Sequence, residues 1–272
     1  MTRGRVALTG LLIVAALAMA AIVAPALPIG SPTEISKDLA LRGPTAAEPF
    51  GMDDLGRSVL SRVIHAYRVS LGVAITAALL AVVIGGPLGL IAGYAEGIPE
   101  QLIMRPLDVL MAFPAILLAI ALMSVFGTGA LLVSVSLAVV YTPIVARVVR
   151  AAVLATKVEV YVDGARALGA PTARLVLRHI LPNAATPILV QASVLMAIAI
   201  LVEASLSFLG VGVRPPTPSL GLMLADGRSF MLQAPWMVVF PGLAIMAAVL
   251  GFNMVADGLR DWLDPHPATT GR

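Results

Sequence analysis

The chain has 272 residues, 59% of them hydrophobic and only 12% charged, with a formal net charge of +3. A soluble domain carries about 25% charged residues, so too few charges are present here to cover a water-facing surface. Cysteine is absent, which excludes disulfides, thiolate metal sites and cysteine nucleophiles.

The apolar residues come in long runs that are hydrophobic on every side, the pattern of helices embedded in a bilayer. A membrane barrel is excluded because its strands alternate over about ten residues. The basic balance fits Lys and Arg held at an inner membrane face, and no nucleic-acid partner is expected. The expected fold is therefore all-α and polytopic, with six transmembrane helices.

Met1–Arg5 is a short basic start, followed by a charge-free run from Val6 to Ala26. This run is long enough for a core of about 30 Å at 1.5 Å per residue. It exceeds the 7–15 apolar residues of a signal peptide, so a retained first helix is expected. Residues 30–69 carry mixed charge and several prolines. Within them, Phe50–Leu71 reads as an amphipathic helix lying on the surface, capped by Asp53 or Asp54. Residues 1–69 thus form a first helix plus an extracytoplasmic segment.

The transmembrane domain is expected over 70–260. Ser70–Tyr94 is a Gly-rich second span whose small residues permit close helix approach. The third is expected from Leu107 to Phe126 with Pro114 inside, and the fourth from Ala130 to Ala146 after a Gly127-Thr128-Gly129 turn. The fifth runs from Ala184 to Phe208. A Pro/Gly-rich loop covers 210–235, and Trp236–Val255 is the sixth span. Residues 261–272 read as a loose tail.

Six spans put both ends on one side. If that side is the cytoplasm, eleven cationic side chains lie inside and seven outside, favouring an N-in, C-in topology.

Much familiar chemistry is missing. Only two lysines occur, Lys37 and Lys157, and neither stands in a G-x-x-x-x-G-K-[ST] motif. The three histidines lie far apart on different segments, and no nucleophile elbow or metal motif appears. The chain is expected to be neither an enzyme nor a cofactor protein. Two carboxylates fall within or beside the spans, Asp108 and Glu203; intramembrane charges are costly and often functional. Asp108 follows Arg105 by three positions, which predicts an intrahelical pair at the inner membrane edge. Asp108, Pro114 and Glu203 are candidates for a transport pathway or for helix packing.

The polar island is Lys157–Asn183, KVEVYVDGARALGAPTARLVLRHILPN, set between two apolar runs. Val158–Leu168 is expected as a helix with Tyr161, Ala165 and Leu168 on one face and Asp163 and Arg166 paired at i, i+3. Gly169 is a natural helix end, and Pro171 suits the first turn of a second short helix. Pro182-Asn183 is expected to break the chain again before the fifth span.

Asp163-Gly164-Ala165, Gly169 and Ile180-Leu181-Pro182 resemble the EAA loop of ABC importer permeases. Further stretches are similar to the second permease subunit of the dipeptide/oligopeptide/nickel branch: Gly51-Met-Asp-Asp-Leu-Gly-Arg57, Glu203-Ala-Ser-Leu-Ser-Phe-Leu-Gly210, Met223-Leu-Ala-Asp-Gly-Arg228 and Asp257-Gly-Leu-Arg-Asp-Trp-Leu-Asp-Pro265. Asp163 stands where the family has Glu, and Gly164 where it has Ala.

The resemblance implies a type I ABC importer transmembrane domain with cytoplasmic coupling helices, in the inner or plasma membrane of a prokaryote. It implies ABC ATPase subunits that bind and hydrolyse ATP, a sister permease subunit, an extracytoplasmic substrate-binding protein, and peptide or a related small solute as cargo. The ATPase-docking residues it implies are Tyr161, Asp163, Gly164, Ala165, Arg166, Leu168, Gly169, Ile180 and Pro182. The competing reading is a secondary transporter or channel acting without ATPase subunits. It would need intramembrane charges arranged as a relay, or broken half-helices around a site, and the sequence offers Pro114, Pro143 and Pro187 but few charges.

Overall fold

The computed structural model describes residues 2–263, with side chains from Arg5 onward. The elements are α1 (Thr2–Val23), α2 (Val59–Ala95), α3 (Ile98–Met111), α4 (Ala115–Phe126), α5 (Ala130–Thr156), α6 (Val160–Ala167), α7 (Thr172–Arg174), α8 (Leu181–Phe208), α9 (Leu220–Gly227) and α10 (Trp236–Leu263). Among the described residues there is no strand, only one isolated bridge between Met52 and Ser58. Of the tail expected over 261–272, Asp261–Leu263 completes α10 and the rest lies outside the described residues.

Five helical stretches are long and apolar enough to cross a membrane: Arg5–Ala26, Val59–Ala95, Ala130–Thr156, Thr172–Phe208 and Trp236–Leu263. The expected third span is not straight. α3 and α4 meet at 93° across Ala112-Phe113-Pro114, and together they supply a sixth crossing only as a bent pair. The bend follows from Pro114, which stands at the N-cap of α4 with extended backbone, where the ring forbids a preceding helical hydrogen bond. Pro114 itself is exposed.

Of the surface-lying helix expected over Phe50–Leu71, only the part from Val59 onward is helical, and it is the beginning of α2, a single helix of 37 residues. Its cap is neither Asp53 nor Asp54 but Ser58, whose side chain accepts from the Ser61 amide. Asp53 serves another end: its carboxylate accepts the amides of Leu55 and Arg57, each at 2.9 Å, and pairs with the guanidinium groups of Arg57 and Arg62. The region expected as loop over 210–235 contains α9, packed between α8 and α10 with Leu220, Gly221 and Met223 buried.

The core is built on α2 against α5. Ala74, Ala77, Ala78 and Ala81 of α2 are buried, and Gly85, Gly89 and Gly93 continue that face. At Gly85 a Cβ would sit 2.7 Å from the Thr142 carbonyl oxygen, so the two backbones touch there because no side chain intervenes. α1 packs on α10 in the same manner, with Gly10 against Met254 and Gly251 against Ile13. The N-terminal segment is tied to α10 by Trp236, which donates from Nε1 to the Met52 carbonyl at 2.9 Å. A stacked pair of Phe50 and Phe240, with ring centroids 4.0 Å apart, adds to that tie.

Candidate functional site

The polar island folds as two helical pieces about a glycine. α6 ends in a Schellman motif: the Ala170 amide bonds the Ala165 carbonyl at 3.1 Å and the Gly169 amide bonds the Arg166 carbonyl at 3.0 Å. Gly169 has φ of +81°, a left-handed conformation that a side chain makes costly. Asp163 and Arg166 pair at 2.6 Å, as their spacing predicts.

The second piece departs from expectation. Thr172–Phe208 is one continuous helical stretch, and Pro182 does not break it. Pro182 stands at the junction between the preceding helical turns and α8, and it cannot donate to the ladder that runs through it. The accommodation lies just before, in a π-helical turn at Leu175–Ile180. Such a turn shifts the hydrogen-bond ladder by one residue.

One side chain, Asn183, expected only as part of a chain break, fastens the two pieces together. Asn183 donates from Nδ2 to the Tyr161 hydroxyl at 3.0 Å and to the His179 carbonyl at 2.7 Å. The Tyr161 and His179 rings lie 6.3 Å apart. Beneath them Val162, Leu175 and Ile180 are buried. What remains outside is an apolar prow: Leu168 is 91% exposed and Val160 85%, with Tyr161 beside them. Asp163, Gly164, Arg166, Gly169 and Pro182 are exposed, while Ala165 is half-buried. Of the expected set only Ile180 is withdrawn from the surface, as an anchor.

The C-terminal end of α5 is braced to α3 and to the end of α2. Asp108 pairs with Arg147 at 2.6 Å rather than with Arg105, because α3 packs on α5 and brings the Arg147 guanidinium to it. Arg150 pairs with Glu100, and Lys157 with Glu96 and with the Gly93 carbonyl, the last at 2.9 Å. The hydrogen bond from Lys157 holds the Glu96 carboxyl below the usual carboxylate range.

Glu203 is fully buried. Its Oε2 accepts from Ser70 of α2 at 2.9 Å, and its Oε1 accepts from Ser207 at 2.8 Å and from Ser219 at 2.9 Å. The Ser207 hydroxyl in turn accepts the Val213 amide. The carboxylate therefore ties α2, α8 and the approach to α9, which is a helix-packing role. Ser207, one turn along the same helix, was legible from spacing; Ser70 and Ser219 were not.

At the other end of α9, Asp226 lies 3.4 Å from Arg62 and 3.8 Å from Arg57. Burial, with Asp53 and Asp226 nearby, pushes the Asp54 carboxyl above its ordinary value against the opposing pull of Arg57. Among the described residues no group of three or more metal-ligating side chains occurs.

Residues 85–268 match the family described as binding-protein-dependent transport system inner membrane component. The chain is 43% identical over 263 residues to the dipeptide transport system permease protein DppC of Alkalihalophilus pseudofirmus, covering 97% of this chain and 86% of that protein. It is 46% identical over 223 residues to the glutathione transport system permease protein GsiD of Pectobacterium atrosepticum, covering 82% and 74%. A crystal structure of an amino acid ABC transporter with histidines shares the fold, with TM-score 0.60 and 17% identity over 75% of this chain and 95% of that one. The chain therefore belongs to the family of inner membrane components of binding-protein-dependent transport systems, the permeases of ABC transporters.

Proposed function

We propose that the chain is one of two permease subunits of an ATP-driven peptide importer, and that the α6–Gly169–α7 elbow is its contact with an ATPase subunit. The observation that carries this reading is the exposed prow of Val160, Tyr161 and Leu168, borne by a segment too charged to lie in lipid. Exposed apolar patches rimmed by charge mark protein contacts.

The chain holds no phosphate-binding loop, so energy for transport enters through a contact. ATP is bound and hydrolysed in the partner, and the permease needs no cofactor. Peptide as cargo is supported by the dipeptide and glutathione permeases to which the chain is similar. An external binding protein delivers it, and a sister permease supplies the other half of the pathway.

The orientation is N-in and C-in. It is supported by the Arg-rich run from Arg147 to Arg178 and by the three ion pairs at the inner end of α5. Movement of the docked elbow passes into the membrane along Thr172–Phe208, which is uninterrupted. ATP occupancy then biases a two-state rigid-body opening.

The test is co-purification of the ATPase subunit with the chain, together with peptide uptake, in the parent and in Ala165→Arg and Gly169→Pro. Loss of both in both variants is expected. Retention of ATPase association in both, with normal membrane abundance, would sink the docking role.

A further inference from the structure

A groove of about 340 Å³ runs between the last turns of α1 and the N-terminal third of α2. Five apolar side chains line it, Ala18, Ala21, Ile22, Leu71 and Ile75, and its one charged lining residue is Arg68. Arg68 is exposed and forms no ion pair among the described residues. The two preceding arginines of this region differ, since Arg57 and Arg62 both face Asp53.

Two helices fix the depth of the groove independently. From Val69 to Tyr94, α2 carries no charged side chain. Those 26 residues span about 39 Å, more than the roughly 30 Å of a hydrocarbon core, so Arg68 stands at the headgroup level of one leaflet. On α1 the basic residues lie at the opposite end, and Ala18, Ala21 and Ile22 belong to its last turns. The same leaflet boundary follows.

The groove thus offers a guanidinium at headgroup depth and a hydrocarbon-lined cleft continuing inward past Leu71 to Ile75, one helical turn deeper. Alanine at two of its wall positions leaves the cleft open. A guanidinium at a lipid boundary without a carboxylate partner is satisfied by a phosphate diester, which it grips through two parallel N–H donors. An acyl chain in the cleft removes apolar surface from contact with disordered lipid and fills the space.

We propose that this cleft binds one glycerophospholipid of the leaflet on the side of α2's N-terminus, its phosphate on Arg68 and one acyl chain along Leu71 and Ile75. The head chemistry is the phosphate diester common to glycerophospholipids. Any anionic headgroup adds only a screened attraction.

The experiment is native mass spectrometry of the full chain, delipidated in mild detergent and titrated with phosphatidylglycerol. Diacylglycerol of the same acyl chains and inorganic phosphate serve as separate arms. A first phosphatidylglycerol adduct is expected, with affinity at least tenfold above that of diacylglycerol and unaffected by millimolar inorganic phosphate. Arg68→Gln, at an exposed position where folding is not at stake, is expected to lower that affinity at least tenfold, and Arg68→Lys to restore part of it. Ala21→Trp, which fills the cleft, is expected to abolish the first adduct.

Equal affinity for phosphatidylglycerol in the parent and Arg68→Gln would overturn the proposal. So would displacement of the adduct by inorganic phosphate, which means a plain anion site. Loss of a co-purifying protein in Arg68→Gln, with phosphatidylglycerol binding unchanged, would assign the groove to a protein partner instead.

Discussion

Ser70 and Glu203 lie 133 positions apart in sequence and meet inside the bundle, where the serine hydroxyl donates to Oε2 at 2.9 Å. With Ser207 and Ser219 on the other oxygen, the carboxylate meets three hydroxyl donors and no cation. Replacing it strands all three. Glu203→Ala is expected to lower the stability of the purified chain by roughly 2–4 kcal/mol, from stranded donors and lost packing. Ser70→Ala, which removes one donor, is expected to cost about 1 kcal/mol. Denaturation midpoints in detergent measure both; an alanine variant as stable as the parent would show that the network ties nothing together.

The contact between α2 and α5 gives a second prediction. At Gly85 an added methyl meets the Thr142 carbonyl oxygen at 2.7 Å and the Val145 Cβ at 3.0 Å. Gly85→Ala is therefore expected to destabilise the chain by about 1–3 kcal/mol, the usual cost of overpacking. Gly72, on the same helix, has open space at its Cβ position, so Gly72→Ala is expected to be neutral or stabilising by up to about 1 kcal/mol. Thermal denaturation of the two variants side by side separates close approach from mere helix propensity.

At the elbow two glycines are expected to respond in opposite directions. Gly164 lies inside α6 with nothing near a Cβ, and Gly164→Ala should firm the helix by about 1 kcal/mol while leaving uptake intact. Gly169 holds φ at +81°, and Gly169→Ala should loosen the helix end by about 1–2 kcal/mol. Hydrogen exchange of the α6 amides reads both; equal protection in the two variants would contradict the Schellman geometry as the source of the elbow's rigidity.

The long apolar helices were legible because a bilayer imposes one crude requirement, some twenty uncharged residues, and composition alone reports it. The elbow was legible because Gly169 and Pro171 are local signals with local causes. What the sequence hid were facts that depend on two elements at once. Arg105 is nearer to Asp108 along the chain, yet Arg147 reaches it from α5. Pro182 looked like a break, but the helix runs through it, and the hydrogen-bond ladder shifts in the π-helical turn just before it. The 93° bend at Pro114 was readable as a proline effect, though its size was not. Glu203 was singled out as an expensive charge, while its partner Ser70 lay on a distant helix with no signal of its own.

The charge cluster of Asp53, Asp54, Arg57, Arg62 and Asp226 makes stability sensitive to acid in an unusual direction at one residue. Asp54 has its carboxyl raised above the ordinary 3.8 by burial and by Asp53 and Asp226. In the window just above the ordinary value the folded chain holds a proton that the unfolded chain has lost. The contribution of Asp54 is thus complete below that window and falls away as pH rises through the raised value. Asp54→Asn is therefore expected to raise the denaturation midpoint at pH 7.5 and leave it nearly unchanged near pH 4. A larger gain at acid pH than at neutral pH would reverse the sign and refute the assignment.

The π-helical turn at Leu175–Ile180 also sets the angular phase of everything downstream. An α-helix advances about 100° per residue, so excising one residue there to regularise the ladder would rotate Glu203 and its neighbours on α8 by about that angle around the helix axis. The carboxylate would then face away from Ser70, and a deletion in the elbow would be felt as a loosened joint at the far end of the helix. The surplus residue thus works as a clocking device, matching the azimuth the elbow requires to the one that Ser70 and Ser219 require.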